Sequence, residues 1–468
     1  MYRLIIDLDT KKKIPLYKQI YEYIRMEIIE GKLPYKEQLP STRSLAVQLQ
    51  VSRSTVDLAY DQLVSEGYIE AKPCKGYFVS QVEELYDGRW KRENKAEEEE
   101  SPHREEKKFT YDFAPNGIDM SCFPYNVWRK MTNQIMLDHE KELFQMGDPM
   151  GDLPLRQTIA KYLHSSRMVN CKAEQIVIGA GNDYLLMLLS KVLGEGQKIA
   201  MEDVTYKRAY DVLKSMNHRI FPVEMDKRGM DLSCLEETGA GIAYVMPAHQ
   251  FPLGIVMPIG RRMELLQWAL EKEERYIIED DYDSEFRYKG KPIPALQAWD
   301  QHEKVIYMGT FSKSIAPAIR ISYMVLPGRL LLRFKEVCSC YASTVSRIDQ
   351  RILYDFMQGG HFERHLNKMR KRYKGKHDCF LTALKSFGEK ITIWGENAGL
   401  HLLIQWKSKE AKEIIKKGEE AMIKLYSVTE AYIGQEKKYE NMVIAGYGGL
   451  KEEEIVKGIQ ILKDALAM

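Results

Sequence analysis

The chain has 468 residues, too many for one ordinary core, so two or three folding units are expected. With 44% hydrophobic and 29% charged residues and no apolar run near the roughly 20 residues that span a bilayer, a membrane-spanning protein is excluded. The net charge of +2 gives no global pull on nucleic acid, and seven scattered cysteines, an odd number, predict reduced structural thiols. The opening Met1-Tyr-Arg-Leu-Ile-Ile-Asp7 is too acidic for a signal peptide, which points to a cytoplasmic protein without a membrane partner.

In chain order, Pro15 to Glu30 carries apolar residues at helical spacing (Leu16, Ile20, Tyr23, Ile24, Ile28), with Pro at its start and Gly31 just past its end. A second helix starts after Ser41 and runs through Leu49, Gln50-Val51 turns, and Ser52 caps a third helix ending near Glu66. Tyr68 to Lys72 and Gly76 to Val79 flank Pro73-Cys74-Lys75 as a short hairpin. Three helices and a hairpin predict a winged helix-turn-helix over residues 1–80. Its third helix would enter the major groove N-terminal end first. Ser52, Arg53 and Thr55 are then the candidates for reading bases, Arg43 for phosphate or a neighbouring base, and Lys72 and Lys75 for the wing tip.

Residues 81–108 are mostly charged, with Glu97 to Glu100 in a run, and read as a linker, flexible or partly helical, or as an exposed extension of a neighbouring helix. From 109 onward, apolar runs near 175–179, 198–201, 242–246, 276–278, 305–308 and 321–325 alternate with helical stretches such as Asp183 to Val192, Tyr206 to Met216 and Gly260 to Lys272. An α/β body with a mainly parallel, covered sheet is expected. A long helical stretch around Leu330 to Tyr373 leads into a smaller α+β unit from about 373 to 468. It contains a strand pair in Ile391 to Trp406, a Lys-rich helix over Ser408 to Leu425 and a last helix from Lys451.

The chemistry concentrates at strand ends. Glu279-Asp280-Asp281-Tyr282 closes one buried strand, and Lys313 lies just after another, in Gly309-Thr-Phe-Ser-Lys-Ser-Ile-Ala-Pro-Ala-Ile-Arg320. A pyridoxal phosphate site needs a lysine for the Schiff base, a carboxylate for the pyridine nitrogen and a phosphate cradle. Lys313 fits the first need and Asp280 the second, while Tyr282, two residues on and on the same side, can donate to the ring's phenolic oxygen. Gly179-Ala-Gly-Asn-Asp183 turns onto a helix N-terminus, where Gly181 and Asn182 would donate to phosphate; Arg320, Thr310 and Ser312 complete the cradle, and Tyr206 can stack on the ring. The acids Glu279, Asp280, Asp281, Asp283 and Glu285 are open to another reading, a divalent cation site, which leaves Lys313 and Arg320 without a role.

The strings Leu39-Pro-Ser-Thr-Arg-Ser-Leu-Ala46, Val51-Ser-Arg-Ser-Thr-Val56 and Ala59-Tyr-Asp-Gln-Leu-Val-Ser-Glu-Gly67 resemble the GntR-type winged-helix domain, with Lys36 standing where that family commonly has glycine. The site residues, together with Gly147-Asp-Pro-Met-Gly151, Leu155 to Leu163 and Pro247-Ala-His-Gln-Phe-Pro-Leu-Gly254, resemble the fold type I aminotransferases. Joined, the two halves resemble the MocR family of transcription regulators, including its GabR-like members. The resemblance implies Lys313 as the Schiff-base lysine, Asp280 as the pyridine partner, Tyr282 and Tyr206 as ring contacts and Arg320 as a phosphate ligand. It also implies a head-to-tail homodimer, which suits two DNA half-sites.

One departure bears on activity. Aminotransferases usually grip the substrate carboxylate with an arginine of the small domain, yet this sequence has no arginine after Arg372, and Asn441 to Gly448 offers only polar or apolar side chains. Arg208 matches a carboxylate-binding position of GabR-like proteins and is the candidate effector contact. The expected function is a regulator that binds double-stranded operator DNA and senses a small amine, amino acid or B6 vitamer through an aldimine at Lys313. The alternatives are an active aminotransferase with an autoregulatory head, and a DNA-binding module on a degenerate body used only for dimerisation.

Overall fold

Serines placed just before two apolar periods start the helices of the N-terminal unit. In the computed structural model, which describes residues 6, 8–9, 14–81, 108–137, 141–288, 290, 292–434 and 438–466, Ser41 accepts from the Ser44 N–H and Ser52 from the Thr55 N–H. The chain divides into two compact units, Met1–Lys107 and Lys108–Met468. Apart from its two end residues, the expected linker lies outside the described residues.

The first unit contains α1 (Leu16–Ile29), α2 (Thr42–Leu49), α3 (Arg53–Ser65) and the antiparallel wing β1 (Ile69–Lys72) and β2 (Gly76–Val79). Ile20, Ile24, Leu45, Val56, Tyr60 and Leu63 are fully buried in its core, each contributing on the order of 1.5–3 kcal/mol of transfer free energy. Gln50 takes the left-handed conformation (φ 54°) that turns α2 into α3. Lys36 is also left-handed (φ 68°). The turn where related sequences carry glycine therefore keeps a glycine-like backbone with a side chain on it.

The second unit begins with β3 (Tyr111–Asp112), α4 (Tyr125–Leu137) and α5 (Leu153–Arg167). There follow β4 (Ile176–Gly179), α6 (Asn182–Leu193), β5 (Lys198–Glu202), α7 (Lys207–Ser215), β6 (Arg219–Val223), the small hairpin β7 (Met225–Asp226) and β8 (Gly229–Met230), and α8 (Leu232–Thr238). Then come β9 (Ile242–Val245), α9 (Ile259–Leu270), β10 (Tyr276–Asp281), β11 (Val305–Thr310) and β12 (Ser322–Val325). Seven strands form one sheet in the order β4-β12-β11-β10-β9-β5-β6. It is parallel except for β12, which runs against both β11 and β4. The edge strand β6 escapes a pattern search because it contains Pro222, which only an edge position tolerates easily.

Both sheet faces are covered, as the alternation of β11 illustrates: Ile306 and Met308 pack with Leu185, Leu189 and Phe334 on one side, Tyr307 with Phe311, Phe356 and Phe362 on the other. The stretch expected to be one long helical segment is three helices, α10 (Gly328–Val337), α11 (Arg347–Gln358) and α12 (His361–Leu384), interrupted by residues 338–346 and by Gly359-Gly360.

The smaller unit adds β13 (Ile391–Trp394), β14 (His401–Trp406), α13 (Ala411–Glu420), β15 (Ile423–Lys424), β16 (Tyr426–Ser427), β17 (Met442–Gly446) and α14 (Glu452–Ala465). Its antiparallel sheet has the order β13-β14-β17-β16, and β15 pairs with β3. The Lys-rich helix is shorter than expected. Met422 adopts φ 60° after Glu420, and the returning chain packs on Gly418, where a Cβ would lie 3.1 Å from the Ile423 carbonyl oxygen.

Candidate functional site

Because successive side chains of β10 alternate, its acids part company. Glu279 and Asp281 face away from α6. Glu279 accepts the N–H groups of Leu296 and Gln297 at 2.8 Å each, and Asp281 accepts Arg167 at 2.7 Å and the Tyr307 hydroxyl at 2.5 Å. Asp283 lies 3.0 Å from His249, and Glu285 accepts the Tyr162 hydroxyl at 3.2 Å. Five carboxylates with separate partners do not make a cation cage, and among the described residues no cluster of His, Cys, Asp or Glu has metal-holding geometry.

Asp280 faces a cavity of about 220 Å³ at the C-terminal ends of the parallel strands. Its carboxylate accepts from the Asn182 amide at 3.2 Å and from the Tyr244 hydroxyl. Burial pushes its carboxyl up to about 6, with the Tyr244 hydroxyl pulling the other way. Lys313 enters the same cavity three residues after β11 ends. Its Nζ is buried without a hydrogen-bond partner and stands 4.6 Å from the centre of the Tyr282 ring. Burial lowers its pKa, partly offset by Asp283 and Asp280.

All ten residues named for cofactor or effector line this one cavity: Lys313, Asp280, Tyr282, Tyr206, Gly181, Asn182, Thr310, Ser312, Arg320 and Arg208. Two details differ from expectation. The Gly181 N–H is not free for a ligand, because it donates to the Gly179 carbonyl at 2.8 Å within a tight turn. Gly181 instead provides space: at φ 98°, a Cβ there would sit 2.2 Å from Arg320 Nη2. The cradle then falls to the first turn of α6, which has no side-chain cap.

The second difference concerns the two arginines. Arg208, on α7, pairs with Asp183 at 2.7 Å, and Arg320 pairs with the same carboxylate at 3.2 Å while also donating to the Ala180 carbonyl at 3.1 Å. Neither guanidinium stands free, and Asp183 joins them. Thr310 accepts from the Ser312 N–H at 3.1 Å and from the Ser322 hydroxyl at 2.8 Å, which leaves its own hydroxyl proton available. Tyr206 meets Phe251 edge-on at 5.9 Å. Asn116, Ile118, Met246, Phe251 and Pro317 also line the cavity and escaped the sequence reading, since nothing in their local pattern marks them.

The segment that lacks an arginine is filled by backbone. Gly446 ends β17 so close to the segment 114–117 that a Cβ would lie 2.0 Å from the Ala114 carbonyl oxygen, and one at Gly448 would lie 2.2 Å from that of Gly117. A buried ion pair pins this contact. Lys376, with no exposed surface, donates to Asp119 at 2.7 Å and to the Gly448 carbonyl at 2.8 Å.

In the N-terminal unit, Arg53 is exposed at the start of α3 and lies 3.5 Å from Asp57, one turn on. Arg43 is exposed on α2. The hydroxyls of Ser52 and Thr55 are 2.7 Å apart, and the Ser52 hydroxyl accepts the Thr55 N–H at the helix start. At the wing, Lys72 pairs with Glu70 at 2.5 Å and Lys75 is exposed in the turn.

Comparison with known proteins matches both units. Residues 118–434 match the aminotransferase class I and II family, and residues 16–79 match the gntR family of bacterial regulatory proteins. The chain is 41% identical over 462 residues to the uncharacterized HTH-type transcriptional regulator YdeL of Bacillus subtilis, covering 98% of each chain. It is 29% identical to the probable rhizopine catabolism regulatory protein MocR of Rhizobium meliloti, covering 98% of this chain and 95% of that one. The kynurenine aminotransferase structure of Pyrococcus horikoshii is 25% identical, with a TM-score of 0.68 over 78% of this chain and 92% of that one. With a helix-turn-helix head, an aminotransferase body and relatives alike from end to end, the chain belongs to the MocR-type family of HTH transcription regulators within the gntR group.

Proposed function

We propose that this protein regulates transcription in response to a small amine, amino acid or B6 vitamer, sensed at Lys313 in a pyridoxal phosphate site. The observation that carries the reading is the Lys313 amine, buried, without a partner, and sharing a cavity with Asp280, Arg320 and an uncapped helix N-terminus. Burying an unpaired amine costs about 1–3 kcal/mol, a cost a ligand can remove. Bound pyridoxal phosphate would supply an aldehyde for condensation with amines and an electron-withdrawing ring.

The chain's own groups divide the remaining work. Asp280 would hold the pyridine nitrogen, and Tyr282 would donate to the phenolic oxygen. The first turn of α6, Arg320, Thr310 and Ser312 would hold the phosphate, and Tyr206 and Phe251 would wall the ring. Arg208 would contact the effector once Asp183 releases it. The working unit would be a homodimer, for which the exposed apolar side chains of Leu137, Phe144 and Met146 provide contact surface. In the N-terminal unit, Arg53 would read a base of a double-stranded operator, with Arg43, Ser52, Thr55, Lys72 and Lys75 near the backbone. Occupancy would then shift the population between two arrangements of the reading heads.

The aminotransferase reading is less favoured. The segment from Asn441 to Gly448 carries no cationic side chain to grip a substrate carboxylate. The test is an absorbance titration of the purified protein with pyridoxal phosphate and then a panel of amines, followed by operator binding with any hit. A visible band lost in Lys313→Ala and an operator affinity that moves with one amine are expected. Operator binding indifferent to every amine would refute the sensing role, and multiple turnover of an amino acid with a keto acid would restore the enzyme reading.

A further inference from the structure

Beside Tyr282 lies a buried polar pair that the cofactor reading does not use. His249 and Asp283 are 3% and 1% exposed, and His249 Nδ1 lies 3.1 and 3.0 Å from the two Asp283 oxygens and 3.0 Å from the Tyr282 hydroxyl. We propose that His249, fixed by Asp283, is a positioning residue that turns the hydroxyl proton of Tyr282 into the Lys313 cavity.

The argument is one of donors and acceptors. An ionised carboxylate only accepts, so the contact with Asp283 requires the proton on Nδ1. That N–H also faces the Tyr282 oxygen, which must then accept and can keep its own proton for another partner. Asp283 also bears on the phenol and, with lone pairs to spare, competes for that proton; the direct hydroxyl contact is nevertheless with His249 Nδ1 at 3.0 Å, which leaves the proton to be shared between Asp283 and an acceptor in the cavity. Burial raises the Asp283 carboxyl, and His249 together with Lys313 and His401 more than offsets it, leaving it below the usual range and ionised.

The ring cannot swing away. Gly399, at φ 82° in the turn between β13 and β14, leaves so little room that a Cβ would lie 2.2 Å from His249 Cε1. From β14, His401 lies 5.5 Å away, ring to ring, and its Nε2 is 2.9 Å from the Pro252 carbonyl, which can only accept. Burial, with His249 adding to it, lowers His401 to about 3, so it stays neutral and brings no competing charge. Other charged or titratable groups that bear on the pair and on Tyr282 are Lys313 and Asp280 from the cavity, Asp281 from β10, and Tyr288 and Tyr447 beyond Asp283.

The consequence rests on the cofactor reading above. A donor on the ring's phenolic oxygen favours the deprotonated chromophore, so losing it raises the pH midpoint of the visible absorbance. In protein saturated with pyridoxal phosphate, His249→Ala is expected to raise that midpoint by about one pH unit, a tenfold change, close to the effect of Tyr282→Phe. The double variant should move no further than either single one, because both act through one proton. His249→Asn, which keeps an N–H for Asp283, should recover more than half of the shift and guards against a variant that fails to fold. An unmoved midpoint in His249→Ala, or shifts that add in the double variant, would overturn this inference while leaving the cofactor site standing. A wild-type protein with no visible band would overturn the cofactor reading and this inference with it.

Discussion

Replacing Lys313 with Met tests whether the cavity holds its amine at a cost. Methionine matches the length of lysine without its charge, so the change removes a buried Nζ that has no partner and keeps most of the packing. The unpaired group costs about 1–3 kcal/mol, and Asp283 and Asp280 return part of that. Asp280 can take up a proton when the ammonium is gone, since burial already holds it at about 6, and Asp283 keeps His249. We therefore expect the cofactor-free variant to be more stable than wild type by about 1 kcal/mol at neutral pH. Pyridoxal phosphate should reverse the order: wild type gains about 2.7 kcal/mol at a hundredfold excess over Kd, and a variant without the amine gains less. The pH dependence supplies a second readout. Because burial lowers the folded-state pKa below the ordinary 10.5, the unfolded chain binds more protons in the interval between them. Wild-type stability therefore rises with pH there and levels off above 10.5, and the variant lacks this slope. Urea midpoints followed by tryptophan fluorescence at two pH values, with and without pyridoxal phosphate, measure both effects. A cofactor-free variant less stable than wild type, or equal stabilisation of both proteins by the cofactor, would refute the reasoning.

Gly181→Ala forces a Cβ into a φ of 98° and to 2.2 Å from Arg320 Nη2, so its affinity for pyridoxal phosphate, by equilibrium dialysis, should fall by about tenfold or more. Lys36→Gly relieves a left-handed lysine at φ 68° and, net of the greater freedom of the unfolded chain, should stabilise the DNA-binding unit by about 0.5 kcal/mol in a calorimetric melt; a loss of stability would count against the turn geometry. Lys376→Met strands Asp119, which keeps two contacts to Ser121 and a distant Arg372, so a loss near the lower end of about 3–5 kcal/mol is expected from urea unfolding. Arg53→Ala should weaken binding to a selected operator by about 1–3 kcal/mol and relax the preference at one base pair, whereas Lys75→Ala should weaken binding about equally for all sequences and lower the salt slope by about one unit, in fluorescence anisotropy.

The residues that were legible in the sequence share one property: their role follows from a place along their own element. Asp280 sits at a buried strand end, Lys313 just beyond another, Gly181 before a helix, and Ser52 at an N-cap, and each is where periodicity and punctuation put it. What escaped depends on elements that meet only in three dimensions. Asp183 stands beside Asn182 in sequence, but its service to two arginines needs α7 and the segment before β12 to converge on the start of α6. His249 lies in a run quoted for its family likeness, yet its work depends on Asp283 from one chain segment and Gly399 from another.

The absent arginine marks the boundary between these two kinds of residue. The sequence reveals that no guanidinium follows Arg372, but not what occupies its place, because glycines carry no periodic signal. The fold answers with backbone: Gly446 and Gly448 press on Ala114 and Gly117, Lys376 clamps the same contact through Asp119, and Gly399 presses on His249. The smaller unit thus offers no charged fork, and the cations that line the cavity are Arg208, Lys313 and Arg320. Two of these already share Asp183, so an incoming anion competes with that carboxylate for their donors. Lys313 is the one cation there whose amine has no hydrogen-bond partner to give up, which is why an amine-reactive ligand, and not a carboxylate, is the first chemistry this cavity invites.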